Sequence, residues 1–434
     1  MIRCLKKISF TIIIFTGIIF CCHSTALADP LADPAESPDA IPAQDNATTE
    51  PAPESSDTAS EKPSLADLLI DPQDGALDVS AFLATAKGFL PIGGIITEPA
   101  VGYGGVLGLM FLHDSIQNRA EQMKKKHPDE KLKRLPPPSI TGVGGFLTKN
   151  NSRGGGLFHM HIFKDDKFRY LGGLVYMDMN LDYYGRGGDL QLPVDHLSYT
   201  LDGYYLLQQL AYRVGNSHIF LGANYQFASF DTKIDFGLDI EPPDWFPPLE
   251  KTINSGGMGI FAEYDTRNSI FTPDAGMNVK IESVFYEEIF GSDRDFNKSL
   301  ANIRGWVPFH SSLVLGLRTD TNFSSGDIPF YMLPFVNLRG ISLTRYQGQY
   351  TVTSEAELRW DVTNRWSLLG FFGCGWVADD ELSDFSFKDG HIAGGFGFRY
   401  FISNVFGIRT GMDFAWSEDE FAFYFTTGTA WGQK

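Results

Sequence analysis

Apolar and polar residues alternate with period two over most of this chain, and no other feature constrains its fold as strongly. Over 313–323, Leu313, Leu315 and Leu317 alternate with Gly316, Arg318, Asp320 and Asn322. Over 351–361, Thr351, Thr353, Glu355, Glu357, Arg359 and Asp361 share one parity, and Val352, Ala356, Leu358 and Trp360 share the other. Arg409 and Asp413 alternate in the same way with Ile408, Met412, Phe414 and Trp416. The last run sets Phe421, Phe423, Phe425 and Trp431 against Ala422, Tyr424 and Thr426. A two-residue period places these sets on opposite faces of extended strands. Sixteen such runs fall between residues 88 and 431.

The polar faces also carry small residues. Gly395 and Gly397 accompany His391 and Arg399, and Gly257 and Gly259 accompany Glu263 and Asp265. Glycine suits a crowded interior, and the aromatic opposite face suits lipid. Runs of about ten alternating residues are the signature of a transmembrane β-barrel. The expected fold class is therefore all-β, a transmembrane antiparallel β-barrel of about sixteen strands. Forty-five Gly and 36 Phe agree with it, and a mean hydropathy of -0.12 argues against a helical membrane protein. A net charge of -18 argues against a nucleic-acid partner.

Connection lengths supply an independent test. Short links at 164–167, 214–217, 308–311, 362–364 and 402–403 alternate with long ones at 183–197, 231–255, 324–349 and 379–389, as in barrels with short periplasmic turns and long outer loops. One long connection, 114–137, falls on the short side and holds seven Lys and Arg residues. It reads either as a basic periplasmic helix drawn to a membrane surface or as a solvated insertion.

Ahead of the barrel, Arg3, Lys6 and Lys7 precede an apolar run and an Ala26-Leu27-Ala28 exit. This predicts a signal peptide over 1–28, cleaved after Ala28, which leaves Cys374 as the sole cysteine. Residues 29–64 hold seven prolines and nine carboxylates against one lysine, with no aromatic residue. Such a stretch cannot offset its ordering entropy and is expected to be a disordered tether. Residues 65–87 form a short periplasmic segment with room for one helix, and 88–434 the barrel.

Several motifs then converge. The stretch 258–276 carries Tyr264, Asp265, Arg267, Pro273 and Gly276. It resembles the strand and turn of the BamA-like bacterial surface antigen superfamily of outer-membrane insertases and two-partner-secretion transporters. Leu338-Arg339-Gly340 is similar to the tip of that superfamily's long sixth outer loop, and 354–359 to the strand that follows. The resemblance implies a barrel in the outer membrane of a Gram-negative bacterium. It also implies that Arg339 is held inside the lumen by inner-wall carboxylates, with Glu357 as the candidate and Glu355 two residues away. The family's second carboxylate has no counterpart, because Gly373 stands at its position. POTRA domains have no room ahead of residue 88, so the resemblance is to a POTRA-less branch.

Function is expected in outer-membrane protein assembly or transport, with unfolded or exported clients and membrane lipid as partners. A passive porin with an acidic lumen and a surface-exposed structural antigen, with prolines 242–248 stiffening an outer loop, stand as alternatives. No G-x-S-x-G, H-E-x-x-H, C-x-x-C or P-loop string occurs, so no catalytic residue, metal site or cofactor is expected. His159 and His161 share a face and read as lining of the lumen. Asp379 and 417–420 read as solvated acidic loops.

Overall fold

The computed structural model describes residues 68–431 except 86–87, 114–138, 165, 189–194, 236–251, 270, 380–385, 387–388, 405–406 and 419. The signal segment, the tether, the basic connection 114–137 and the proline-rich stretch 242–248 lie outside the described residues.

Sixteen antiparallel strands follow one another around a nearly closed barrel. They are β1 (Gly88–Ile96), β2 (Gly104–Leu112), β3 (Ile140–Thr148), β4 (Arg153–Phe163), β5 (Phe168–Tyr183), β6 (Leu197–Arg213), β7 (Ile219–Asp235) and β8 (Ile253–Asp265). The circuit continues with β9 (Gly276–Tyr286), β10 (Phe296–His310), β11 (Leu313–Gly326), β12 (Tyr350–Asp361), β13 (Trp366–Ala378), β14 (His391–Ser403), β15 (Ile408–Ser417) and β16 (Phe421–Thr427). Ladders join each neighbour in β1–β9 and each in β10–β16. Between the two groups, β9 and β10 adjoin through the Ser283 and Ser299 hydroxyls, 3.1 Å apart, and the stacked rings of Tyr286 and Phe296. Among the described residues no ladder joins β1 to β16 either, and these two strands, unlike β9 and β10, approach each other at only a few points, so this seam is the weakest line of the wall.

The period-two pattern becomes inside and outside. Leu107, Leu147, Ile260, Phe372 and Phe396 point outward and are each more than half exposed. Their strand neighbours point into the lumen. A continuous apolar exterior of this kind is stable only against hydrocarbon. Strands β5, β6 and β7, at 16, 17 and 17 residues, exceed the roughly 9–11 that a tilted strand needs to cross a bilayer. They project beyond it at the long-loop end.

The lumen itself has two characters. On β10–β15 it is charged, with Arg304, Arg318, Asp320, Glu355, Arg399 and Asp413 all buried. On β4–β7 it is apolar, with Phe158, Met177, Met179, Leu201, Tyr205 and Phe230 in one buried cluster. Polarity therefore fails to mark the inner face on this side. His159 and His161 are a correction of that kind: Phe158, Met160 and Ile162 fill the luminal parity of β4, which turns both histidines outward. There His159 Nδ1 lies 2.8 Å from the Thr141 hydroxyl and its ring stacks on His161.

The C-terminus corrects a second expectation. β16 stops at Thr427, and Trp431, expected on the outer face, turns inside. It is 1 % exposed, beside Trp306 at 5.9 Å between ring centroids, in space left by Gly316. The chain bends at Gly428 because Thr429 N donates to the Phe271 carbonyl at 2.6 Å.

At the short-turn end the segment 68–85, with its helix α1 (Ser80–Thr85), docks on the barrel. Arg365, in the β12–β13 turn, receives Asp71, Asp74 and Asp78 at 2.5, 2.6 and 2.7 Å. Val79 N donates to the Ile402 carbonyl at 2.8 Å, and the Ser80 and Ser403 hydroxyls meet at 2.9 Å.

Candidate functional site

The connection 327–349 does not stand out into solvent; it folds into the barrel. Lys298 Nζ donates to the Met332 carbonyl, and Arg318 donates to the Asn337 carbonyl. Val336 N bonds the Tyr346 carbonyl at 3.0 Å, and Gly348 N the Pro334 carbonyl at 3.0 Å. These bonds replace the backbone solvation that a buried loop would otherwise lose.

Arg339 lies at the inner end of this loop. Its Nε donates to Glu355 Oε1 at 2.8 Å and its Nη1 to Asp413 Oδ2 at 2.9 Å. Nη2 lies 2.8 Å from Glu357 Oε2, and the guanidinium sits 3.5 Å from the centre of the Phe371 ring. The structure thus brings Arg339 to both Glu355 and Glu357, and adds Asp413. Asp413 is itself gripped by Arg399 at 2.6 and 2.9 Å. Arg318 continues the network to Asp320 at 3.2 Å and Glu355 at 3.8 Å, and Arg304 reaches Asp320 at 3.8 Å. Four arginines face four carboxylates, so each buried ion is offset by opposite charge, the condition under which such burial is tolerated.

Gly373, where the resemblance calls for a second carboxylate, leaves no gap in this lock. A Cβ at Gly373 would lie 2.5 Å from Leu338 Cδ2 and 2.9 Å from the Ser354 carbonyl oxygen. The position is kept empty so that Leu338 can pack, and Asp413, from a different strand, supplies the charge. The expectation of a deficient clamp is corrected accordingly. Asp413 was readable as a luminal residue from its parity on β15. Its height relative to Arg339 was not, because that depends on the stagger of the closed barrel.

Past Arg339 the loop reaches both edges of the seam. Gly340, at φ 96°, passes so close to β15 that a Cβ would lie 3.2 Å from the Ala415 methyl carbon. Its N–H donates to the Tyr424 hydroxyl of β16 at 3.0 Å. Ser342 donates from its backbone and hydroxyl to Glu420 Oε2 at 2.9 and 2.7 Å, and Arg345 to Glu420 Oε1 at 2.7 Å. Leu343 N donates to Glu98 Oε1, just beyond β1, at 3.2 Å. Glu420 is therefore a loop anchor, a correction of its reading as part of a solvated acidic loop. Asp379 likewise pairs with Arg186 at 3.1 Å.

The residues of the 258–276 motif act at the opposite end. Asp265 takes Arg267 bidentately at 2.9 and 2.8 Å. Pro273 is fully buried, Gly276 turns at φ 97°, and Arg359 of the inner wall bonds Asp274. Together they tuck the 266–275 connection into the barrel mouth. Tyr264 is 39 % exposed on the outer face beside His218. Cys374, a free thiol, lies on the outward parity of β13. Among the described residues no group of three metal-ligating side chains occurs.

With the loop, the seam and the barrel in place, the architecture can be compared with solved structures. BamA from Haemophilus ducreyi lacking POTRA domains 1–3 matches with a TM-score of 0.52 at 14 % identity, over 79 % of this chain and 70 % of that one. CdiB from Escherichia coli matches with a TM-score of 0.50 at 10 % identity, over 78 % of this chain and 61 % of that one. This chain has the fold of a BamA-type barrel. No family model and no curated protein sequence matches it. The likeness thus lies in the fold, at a sequence identity of 14 % or less.

Proposed function

We propose that the protein is an integral outer-membrane barrel, exported by a cleaved signal peptide, that acts in the assembly of other outer-membrane proteins or in transport across that membrane. One observation carries this reading. The inward loop is fastened to both edges of a seam without a ladder, through Glu98 on one side and Tyr424 and Glu420 on the other. A wall of paired strands opens only at high cost, whereas a seam held by a few loop contacts can part and rejoin. Edge strands exposed by parting are templates for pairing with an incoming strand.

The test uses the full mature chain in liposomes with a second, unfolded outer-membrane barrel as client. Cysteines at Tyr103 and Phe423, whose rings stack 5.5 Å apart, are introduced in a Cys374→Ser background and bridged by a short bismaleimide. Client folding accelerated by the unbridged protein and abolished by bridging supports the proposal. Equal client folding with bridged and unbridged protein, or with unbridged protein and empty liposomes, would overturn it. The passive-channel reading gains nothing from the lumen, whose charged half is balanced and whose other half is apolar.

A further inference from the structure

We propose that the apolar half of the lumen is a binding site for one acyl chain of a membrane lipid, which enters sideways through the seam between β1 and β16. The inference needs the barrel to be embedded in a bilayer, but goes beyond any role in protein assembly.

A cavity of about 490 Å³ occupies this half of the barrel. That volume lies within the range of roughly 300–1,000 Å³ typical of small-molecule sites. Met177, Met179, Leu201 and Phe230 form its inner wall, and Tyr331 and Leu333 of the inward loop its far side. None of these side chains offers water the two to four partners that an ordered water needs, apart from the Tyr331 hydroxyl. Polar closure comes from Glu98 and Lys298. An apolar void of this size is filled most favourably by hydrocarbon.

The surface that bounds the cavity identifies where the hydrocarbon comes from. Its lining includes Gly93 and Gly94 of β1 and Phe425 and Thr427 of β16, the two edges of the seam. It also includes Leu107 and Leu109, which face outward and are 76 % and 46 % exposed. The same space is therefore bordered by luminal and membrane-facing side chains. The consecutive glycines 93 and 94 leave that stretch of the β1 edge without side chains to close it. An acyl chain passes from the bilayer into the lumen along a continuous apolar path, with its headgroup left outside. Methionines on the inner wall suit such a ligand, because a thioether side chain adapts to a chain of variable shape.

The experiment reconstitutes the mature protein in phosphatidylglycerol vesicles doped with a phosphatidylglycerol that carries a diazirine near the end of one acyl chain. Irradiation and peptide mapping locate the label. Labelling of Met177, Met179 or Leu201, together with the outward residues Leu147 and Ile260, is expected. Two variants that fill the cavity, Ala228→Trp and Leu201→Trp, should each reduce the luminal labelling at least about tenfold and leave the outward labelling unchanged. Each has its folding checked by heat-modifiable gel mobility. Labelling confined to Leu147 and Ile260 in the wild-type protein would overturn the inference. So would luminal labelling by a free diazirine fatty acid in the absence of any from the phospholipid. Loss of the outward labelling as well would overturn membrane embedding and this inference together.

Discussion

Arg339 shows how much one buried ion can organise. Three carboxylates and an aromatic face surround it, and removing it leaves Glu355, Glu357 and Asp413 with an excess of like charge in a buried space. Arg339→Ala should therefore destabilise the folded barrel by about 3–5 kcal/mol, read as a lower urea midpoint in detergent by gel mobility. Gly373 gives the converse prediction. Placing an acid there with Gly373→Asp would drive a side chain into Leu338, and overpacking of this kind typically costs about 1–3 kcal/mol. The variant should unfold at lower urea than wild type. A gain in stability would show that the lock had lacked a partner.

The element most sensitive to solution conditions is the docked segment 68–85. Its anchor is Arg365, whose guanidinium is held more firmly protonated than usual by the hydrogen bonds that it donates to Asp74 and Asp78. Burial alone would raise the Asp78 carboxyl, but hydrogen bonds from Ser80 and Arg365 hold it below the usual carboxylate range. Asp74 is lowered in the same direction, chiefly by Arg365. A carboxylate with a depressed folded pKa stabilises docking above its unfolded value, near ~4, and loses that contribution as pH falls through the folded one. Docking should thus be complete at neutral pH and weaken progressively below pH ~4. Limited proteolysis by pepsin across that window should cut 68–85 only at the acid end. Arg365→Ala should expose the same segment to chymotrypsin, at Phe82 and its leucines, at neutral pH.

At the scale of the whole molecule the outer surface is the deciding property. Ile260 is 63 % exposed midway along β8, and in a bilayer that exposure is to acyl chains. Ile260→Arg should cost about 2–4 kcal/mol in lipid, measured as reduced folding yield into vesicles. A barrel unaffected by this change would not have that surface in hydrocarbon. Barrel closure also explains why the interior is divided. The inward loop lays Arg339 against β12–β15 and Phe330 and Leu333 against β5–β7, so each wall matches the loop face that it meets.

Strand positions were legible from the sequence because a strand's period is a local, backbone property. The alternation over 351–361 and 408–416 by itself places Glu355, Glu357 and Asp413 on a single inner surface. The alternating runs gave the number of strands, and connection lengths the ends at which they turn. The sequence could not show which strands lie at the same height, and so could not pair Arg339 with Asp413, 74 residues away. It also misassigned His159 and Trp431, since it equated polar with inside and aromatic with outside. That equation holds only where the interior is wet. In this barrel the β4–β7 wall and the loop face against it make half of the interior apolar, and only the assembled circuit of strands decides which half.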